Sequence, residues 1–87
     1  IQLSFADSRL YALQAKTYAA QGRRLQQHRA QAEAYILLGQ LGAAVEQLQY
    51  AQQATDGNFY EQSAVDARLR ELRQLQAEEA KQKRGGW

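Results

Sequence analysis

The chain has 87 residues and a formal net charge of +2, and it contains neither cysteine nor proline. A domain of this length buries only about 60–65% of its unfolded surface, so we expect a thin stability margin that no disulfide can supplement. Hydrophobic residues make up 45% of the chain, which excludes a disordered protein at so small a net charge. The longest apolar run, residues 34–38, is far shorter than the roughly 20 residues of a membrane span, so we predict no membrane insertion.

The first half of the chain predicts two helices that each end at a glycine. Apolar residues recur at three- and four-residue spacing over 5–21 and again over 24–38. Gly22 and Gly39 follow these segments, and glycine in this place is typical of a left-handed C-terminal cap. Connections this short require neighbouring helices to pack antiparallel.

The second half predicts two more helices, separated by a turn. Helical spacing continues over 41–54 and, after the turn cluster 55–58, over a long segment 59–83. Asn58 and Glu61 have the spacing of a capping box at the start of this last helix. We therefore predict one helical domain over residues 1–84, followed by a short tail at 85–87.

Helices that run up and down leave two architectures open, a closed four-helix bundle and an open solenoid. Gly22 and Gly39 are 17 residues apart, which is half of the 34-residue tetratricopeptide period. The second and third helices carry residues at the spacings of that repeat: Ala32, Tyr35, Gly39, Leu41, Ala44, Leu48 and Ala51. This pattern favours an all-α fold of about four helices, in which antiparallel hairpins stack as a tetratricopeptide-like right-handed solenoid. An ordinary helical bundle is the alternative.

The phase of the repeat has two interpretations. Helix one matches the first half of the repeat through Tyr11, Ala15 and Tyr18, but Gln27 then occupies a position that calls for a small residue. Asp56 likewise stands where proline often closes a repeat. The number of matches favours helix two as the helix that lines the inner groove.

A solenoid of this kind presents a groove that holds an extended or helical peptide. If helix two lines it, the candidate binding residues are Gln26, Arg29, Glu33 and Ile36. If helix one lines it, they are Arg9, Ala12, Lys16 and Ala19. We therefore predict a protein or peptide partner.

The sequence contains no set of residues suited to catalysis or to metal binding. His28 is the only histidine, cysteine is absent, and Glu33 lies too far from His28 along the helix to complete a zinc site. The arginines at 68, 70 and 73 alternate with acidic residues, which argues against a nucleic-acid surface. We therefore predict no enzyme activity, no cofactor and no nucleic-acid partner for this chain.

One longer pattern resembles a known family. It comprises the run Ala32-Glu33-Ala34-Tyr35, then Gly39-x-Leu41-x-x-Ala44-Val45-x-x-Leu48, then Asp66-Ala67-Arg68-Leu69-Arg70-Glu71-Leu72-Arg73. This resembles the C-terminal tetratricopeptide region of periplasmic zinc metallopeptidases of the BepA type. The resemblance implies a periplasmic domain that docks outer-membrane assembly factors or protease substrates, with the zinc held in the protease domain of a parent protein. The His-Glu-x-x-His zinc motif is absent from this chain.

Two further expectations concern the context of the chain. It lacks methionine and opens at Ile1, so we expect a fragment of a larger protein, the alternative being a free-standing adaptor or oligomerisation module without protease activity. Ile1, Leu3 and Phe5 form an apolar start with no polar cap. A solenoid needs polar ends, so self-association through this N-terminal face is a further prediction.

Overall fold

The computed structural model describes residues 3–85 and contains four helices and no strand in that range. The helices are α1 (Leu3–Ala20), α2 (Arg24–Leu37), α3 (Leu41–Gln53) and α4 (Phe59–Gly85). The all-helical class is confirmed, and the predicted helix ends lie within two residues of the observed ones. The expected apolar start falls partly on Ile1, which lies outside the described residues. Gly86 and Trp87 of the expected tail 85–87 also lie outside them, and Gly85 belongs to α4 instead of the tail.

The first two turns have the same backbone geometry. Gly22 has a φ of 73° and Gly39 a φ of 75°, the left-handed conformation that glycine adopts without steric cost. In the first turn the N–H of Gly22 donates to Ala19 and that of Arg23 donates to Tyr18. The second turn repeats both bonds around Gly39, at 3.0 and 2.9 Å. Both turns are Schellman motifs, as the glycine positions predicted.

The third connection caps two helices at once. Asn58 Oδ1 accepts from the N–H of Glu61 at 2.8 Å, and Glu61 Oε1 accepts from the N–H of Asn58 at 3.0 Å, which confirms the predicted capping box of α4. In the same loop, the carboxylate of Asp56 accepts the backbone N–H groups of Arg24 and Leu25. The residue before α2, Arg23, provides no cap of its own, so this loop caps α2 as well.

The main core lies where α2, α3 and α4 meet. Its fully buried members are Leu25, Ala32, Ala44, Leu48, Ala51, Val65, Leu69 and Leu72. Ala32 and Ala44 are both 0% exposed, and their small side chains let α2 and α3 approach closely. The buried residues of α1, Ser8 and Ala15, lie outside this cluster, and α1 packs on α2 through small side chains.

Extensive packing within residues 3–85 joins only consecutive helices, α1 with α2, α2 with α3, and α3 with α4. A closed four-helix bundle would also pack α1 on α4 over a large area. The helices instead form a row, with extents of 48 × 29 × 16 Å.

Two polar contacts tie α4 back to α2. Gln26 Nε2 donates to Glu61 Oε2 at 2.6 Å. Two helical turns further along α2, both carboxylate oxygens of Glu33 accept hydrogen bonds from Arg68, at 2.9 and 3.0 Å. Each pair is separated by 35 residues, so α2 and α4 run in the same direction. The antiparallel α3 fills the space beside them.

α4 is much longer than its neighbour. It has 27 residues and α3 has 13. Beyond Leu72, its described side chains are exposed except for the half-buried Gln76. About half of α4 therefore extends past the core.

Candidate functional site

The surface over α1 and α2 contains three of the predicted binding residues. Gln26, Arg29 and Glu33 of α2 line a shallow depression of about 370 Å³ together with three residues of α1. These are Tyr11, Gln14 and Tyr18. A second depression, which shares Tyr11, Gln14 and Glu33, continues the surface toward Leu37. We call this combined surface the α1–α2 groove.

Two of the three α2 residues are held by neighbours. Glu33 is neutralised by Arg68, which binds it side-on through two nitrogens. Gln26 donates to Glu61 and accepts from Arg29 Nη1 at the long distance of 3.5 Å. Both side chains are therefore oriented in advance, and neither has its full hydrogen-bonding capacity left for a ligand.

Arg29 differs from its neighbours because most of its donors are unused. A guanidinium carries five N–H donors, and within residues 3–85 only the weak contact to Gln26 engages them. The Glu33 carboxylate, one turn further along, is already paired with Arg68. Arg29 is thus a half-buried cation that lacks an anionic partner in the described part of the chain.

The α1 side of the groove adds aromatic and amide groups. Tyr11 is 36% exposed and Tyr18 is half-buried. Neither phenol has a hydrogen-bond partner among the described residues, and the ring of Tyr18 lies 5.5 Å from the guanidinium of Arg23. The groove therefore combines a free cation, free phenol groups and the amide of Gln14.

The other predicted residues lie elsewhere. Arg9 and Lys16 line a separate depression on the opposite side of α1, formed by α1 residues alone in the described chain. Ala12 lines the same surface, and Ala19 is exposed near the helix end. Ile36 is half-buried and packs against the core. The structure thus brings together Gln26, Arg29 and Glu33 and separates them from the α1 cations.

His28 takes part in helix packing. Its Nδ1 donates to Gln47 Oε1 of α3 at 2.8 Å, and its ring lies 5.4 Å from that of Tyr50. No three histidine or acidic side chains come together as a metal site within residues 3–85.

Arg68 and Asp56 are the residues whose roles the sequence did not predict correctly. Arg68 binds the carboxylate of Glu33, a contact that the sequence did not predict. Asp56 looked like a replacement for proline and is instead the cap of α2. Glu33 and Arg68 carry opposite charges and lie about one repeat length apart in the sequence. This spacing was the signal that could have predicted their contact.

None of the described helices combines the length and the apolarity that a membrane span needs. No known protein family, curated protein or solved structure matches this chain.

Proposed function

We propose that this chain is a non-catalytic protein-interaction domain that binds a peptide, or an extended segment of another protein, in the α1–α2 groove. The observation that supports the proposal most strongly is the half-buried Arg29, whose donors have no anionic partner in residues 3–85. A half-buried guanidinium with unused donors is well suited to bind an anionic group that a ligand supplies. The free phenol groups of Tyr11 and Tyr18 lie on the same surface.

The proposed architecture is a tetratricopeptide-like right-handed solenoid. The 35-residue separation of both α2–α4 contacts is close to the 34-residue period of that repeat. The row of consecutively packed helices and the buried pair Ala32 and Ala44 support the same arrangement. In it, α2 begins one repeat and α4 begins the next, which agrees with the interpretation that helix two lines the groove.

The chemistry of the groove favours an acidic ligand. Arg29 offers a planar fork of donors that suits a carboxylate. Gln14 can pair with a peptide backbone amide, and the rings of Tyr11 and Tyr18 provide apolar contact with a polar edge. We therefore expect an extended peptide with an Asp or Glu side chain, or a terminal carboxylate, near Arg29.

The test uses peptides selected from a random decapeptide library displayed on phage and then measured by calorimetry. Arg29→Ala should weaken their binding by about tenfold or more, roughly 1.4 kcal/mol. Arg9→Ala is the matched control, because Arg9 is an exposed cation on the opposite side of α1. Peptides that bind equally well after Arg29→Ala and Tyr18→Ala would contradict the proposed groove, as would a selection that yields no binder.

A narrower proposal rests on the resemblance to the C-terminal region of BepA-type enzymes. In it, the chain is a domain of a periplasmic zinc metallopeptidase that docks outer-membrane assembly factors or protease substrates, and the protease domain of the parent protein holds the zinc. The alternative is a free-standing adaptor or oligomerisation module. The reading frame of the gene decides between them: an upstream His-Glu-x-x-His motif with a signal peptide supports the first, and a short frame without either supports the second.

A further inference from the structure

The two end helices of the row each have a side that no helix in the described chain covers. On α1, the exposed residues Ala6, Leu10 and Leu13 follow helical spacing and line a depression formed by α1 alone, and Leu10 also borders the α1–α2 groove. Leu10 and Leu13 are both 60% exposed, whereas the smaller Ser8 and Ala15 are buried. We call this side, with Arg9 and Lys16 at one edge and Asp7 at the other, the outer face of α1.

The corresponding side of α4 is identified by comparison with α2. A shift of 35 residues relates contacting positions of the two parallel helices. Ala30 of α2 borders the preceding helix α1, and its equivalent Val65 is buried in the core with α3. α4 therefore packs against its preceding helix with the same side as α2 does.

α2 packs against the following helix, α3, with one side, and the equivalent side of α4 is exposed. Leu25 and Ala32, both buried in the core that α2 shares with α3, correspond to Tyr60 and Ala67. Tyr60 is 78% exposed, and Ala67 is exposed as well. We call the side formed by Tyr60, Ser63, Ala67 and Arg70 the outer face of α4.

We propose that copies of this chain join head to tail, with the outer face of α1 in one copy packed on the outer face of α4 in the next. The contact would reproduce the antiparallel packing of α3 on α2. A shift of 34 residues relates α3 to α1, so Ala44 corresponds to Leu10. Ala32 of α2 corresponds to Ala67 of α4. The contact between copies would therefore place Leu10 and Ala67 as Ala44 and Ala32 are placed in the core of one chain. The proposal rests on the repeat register proposed above. Asp7 and Leu10 also border the α1–α2 groove, so assembly and peptide binding are tested separately.

The charged residues favour this head-to-tail contact over a twofold contact between two α1 helices. In this register Asp7 corresponds to Leu41 and Arg70 to Tyr35, which both pack against the same core cluster, so we expect Asp7 of one copy near Arg70 of the next. Both residues are exposed and have no ion pair among the described side chains. In an antiparallel twofold contact between two α1 helices, each edge meets the same edge of the other copy. Arg9 and Lys16 would then oppose their own copies, and like charges in apposition disfavour that contact.

The contact involves one helix face from each copy, so we expect it to bury less than the roughly 1,200–2,000 Å² of a standard interface. We therefore expect weak, reversible association, with chains that grow beyond dimers because the contact is heterologous.

The test is sedimentation equilibrium on the full chain and on two blocked variants. Leu10→Lys with Leu13→Lys blocks the outer face of α1, and Ala67→Glu with Arg70→Glu blocks that of α4. All four residues are exposed, and circular dichroism checks that both variants keep the native helix content. The wild type should associate as its concentration rises, each variant alone should stay monomeric, and an equimolar mixture of the two should form a dimer.

Three results would overturn the proposal: a wild-type chain that stays monomeric at 1 mM, a variant blocked on α4 that still associates by itself, or a mixture that does not dimerise.

A second experiment exchanges the charges of the predicted pair. Asp7→Arg and Arg70→Asp should each weaken association about tenfold, and the double variant should restore it; no restoration counts against the predicted pair. Peptide binding is measured on the variant blocked on α4, whose substitutions lie outside the α1–α2 groove, so failure of assembly is separable from failure of peptide binding.

Discussion

Asp56 links two distant parts of the chain through its carboxylate. It accepts the N–H groups that open α2, 31 residues earlier in the sequence in the case of Leu25. The N–H of Leu25 lowers the pKa of Asp56 from its ordinary value of 3.8, and the N–H of Arg24 and the charge of Arg23 act in the same direction. Hydrogen bonds and positive charge favour the ionised carboxylate, so folding stabilises the charged form.

This lowered pKa predicts a pH dependence of stability. The contribution of Asp56 should be complete above its unfolded pKa, near 3.8, and should be lost as the pH falls through the lower folded value. Asp56→Asn keeps a cap acceptor but does not titrate. In thermal melts between pH 7 and 2, the variant should melt below the wild type at pH 7, and the difference should shrink at the acidic end. A difference that stays constant with pH would contradict this role.

Gly57 is required because the chain comes close to Leu25. A Cβ at position 57 would lie 2.3 Å from Leu25 Cδ1, and Leu25 is only 1% exposed. Gly57→Ala should therefore lower the free energy of unfolding by about 1–3 kcal/mol through overpacking. Gly42→Ala is the matched control: its Cβ would meet only Gln76, at 4.0 Å, inside a helix where alanine is preferred. Chemical denaturation should show that variant to be more stable than wild type, by about 0.5 kcal/mol.

Among the elements, α4 is tied to α2 by the contact of Arg68 with Glu33. The two side chains are 34% and 26% exposed, so solvent screens the pair only in part. A double-mutant cycle with Arg68→Met and Glu33→Gln should give a coupling free energy of about 1 kcal/mol, because the pair is bidentate. Its measurement is denaturant unfolding of the four proteins. Additive effects of the two substitutions would show that the pair contributes orientation but no net stability.

α1 should be the least stable helix of the row. Of its side chains from residue 6 onward, only Ser8 and Ala15 are buried, and they lie outside the main core. Small side chains bury little apolar area, so opening α1 costs less than opening the helices that share Leu48 and Leu72. Native-state hydrogen exchange should show α1 amides exchanging before those of α3 and the first half of α4. Uniform protection across all four helices would contradict this.

At the scale of the whole molecule, the sequence predicted what depends on local signals. The turns at Gly22 and Gly39 and the box of Asn58 with Glu61 involve residues a few positions apart, so their chemistry is visible in the chain itself. The helix boundaries follow from these signals and from the spacing of apolar residues.

The sequence did not predict features that join distant residues or choose between two faces of one helix. α1 carries two stripes at helical spacing, and spacing alone does not tell which of Leu10 and Ala15 is buried. The separation of Arg9 from Arg29 depends on that choice, because it decides which side of α1 borders α2. The cap from Asp56 needs the return of a loop to the start of α2, which no local pattern shows.

The unequal lengths of α3 and α4 have a mechanical consequence. α4 spans about 40 Å. Its C-terminal half extends past the core and is supported only where it continues from the N-terminal half. Its stiffness comes from its own backbone hydrogen bonds, and a free helix of this length is marginal in water. Warming should therefore shorten the rod gradually from its tip while the supported half keeps its shape, and anything attached at the tip would swing more widely as it does so.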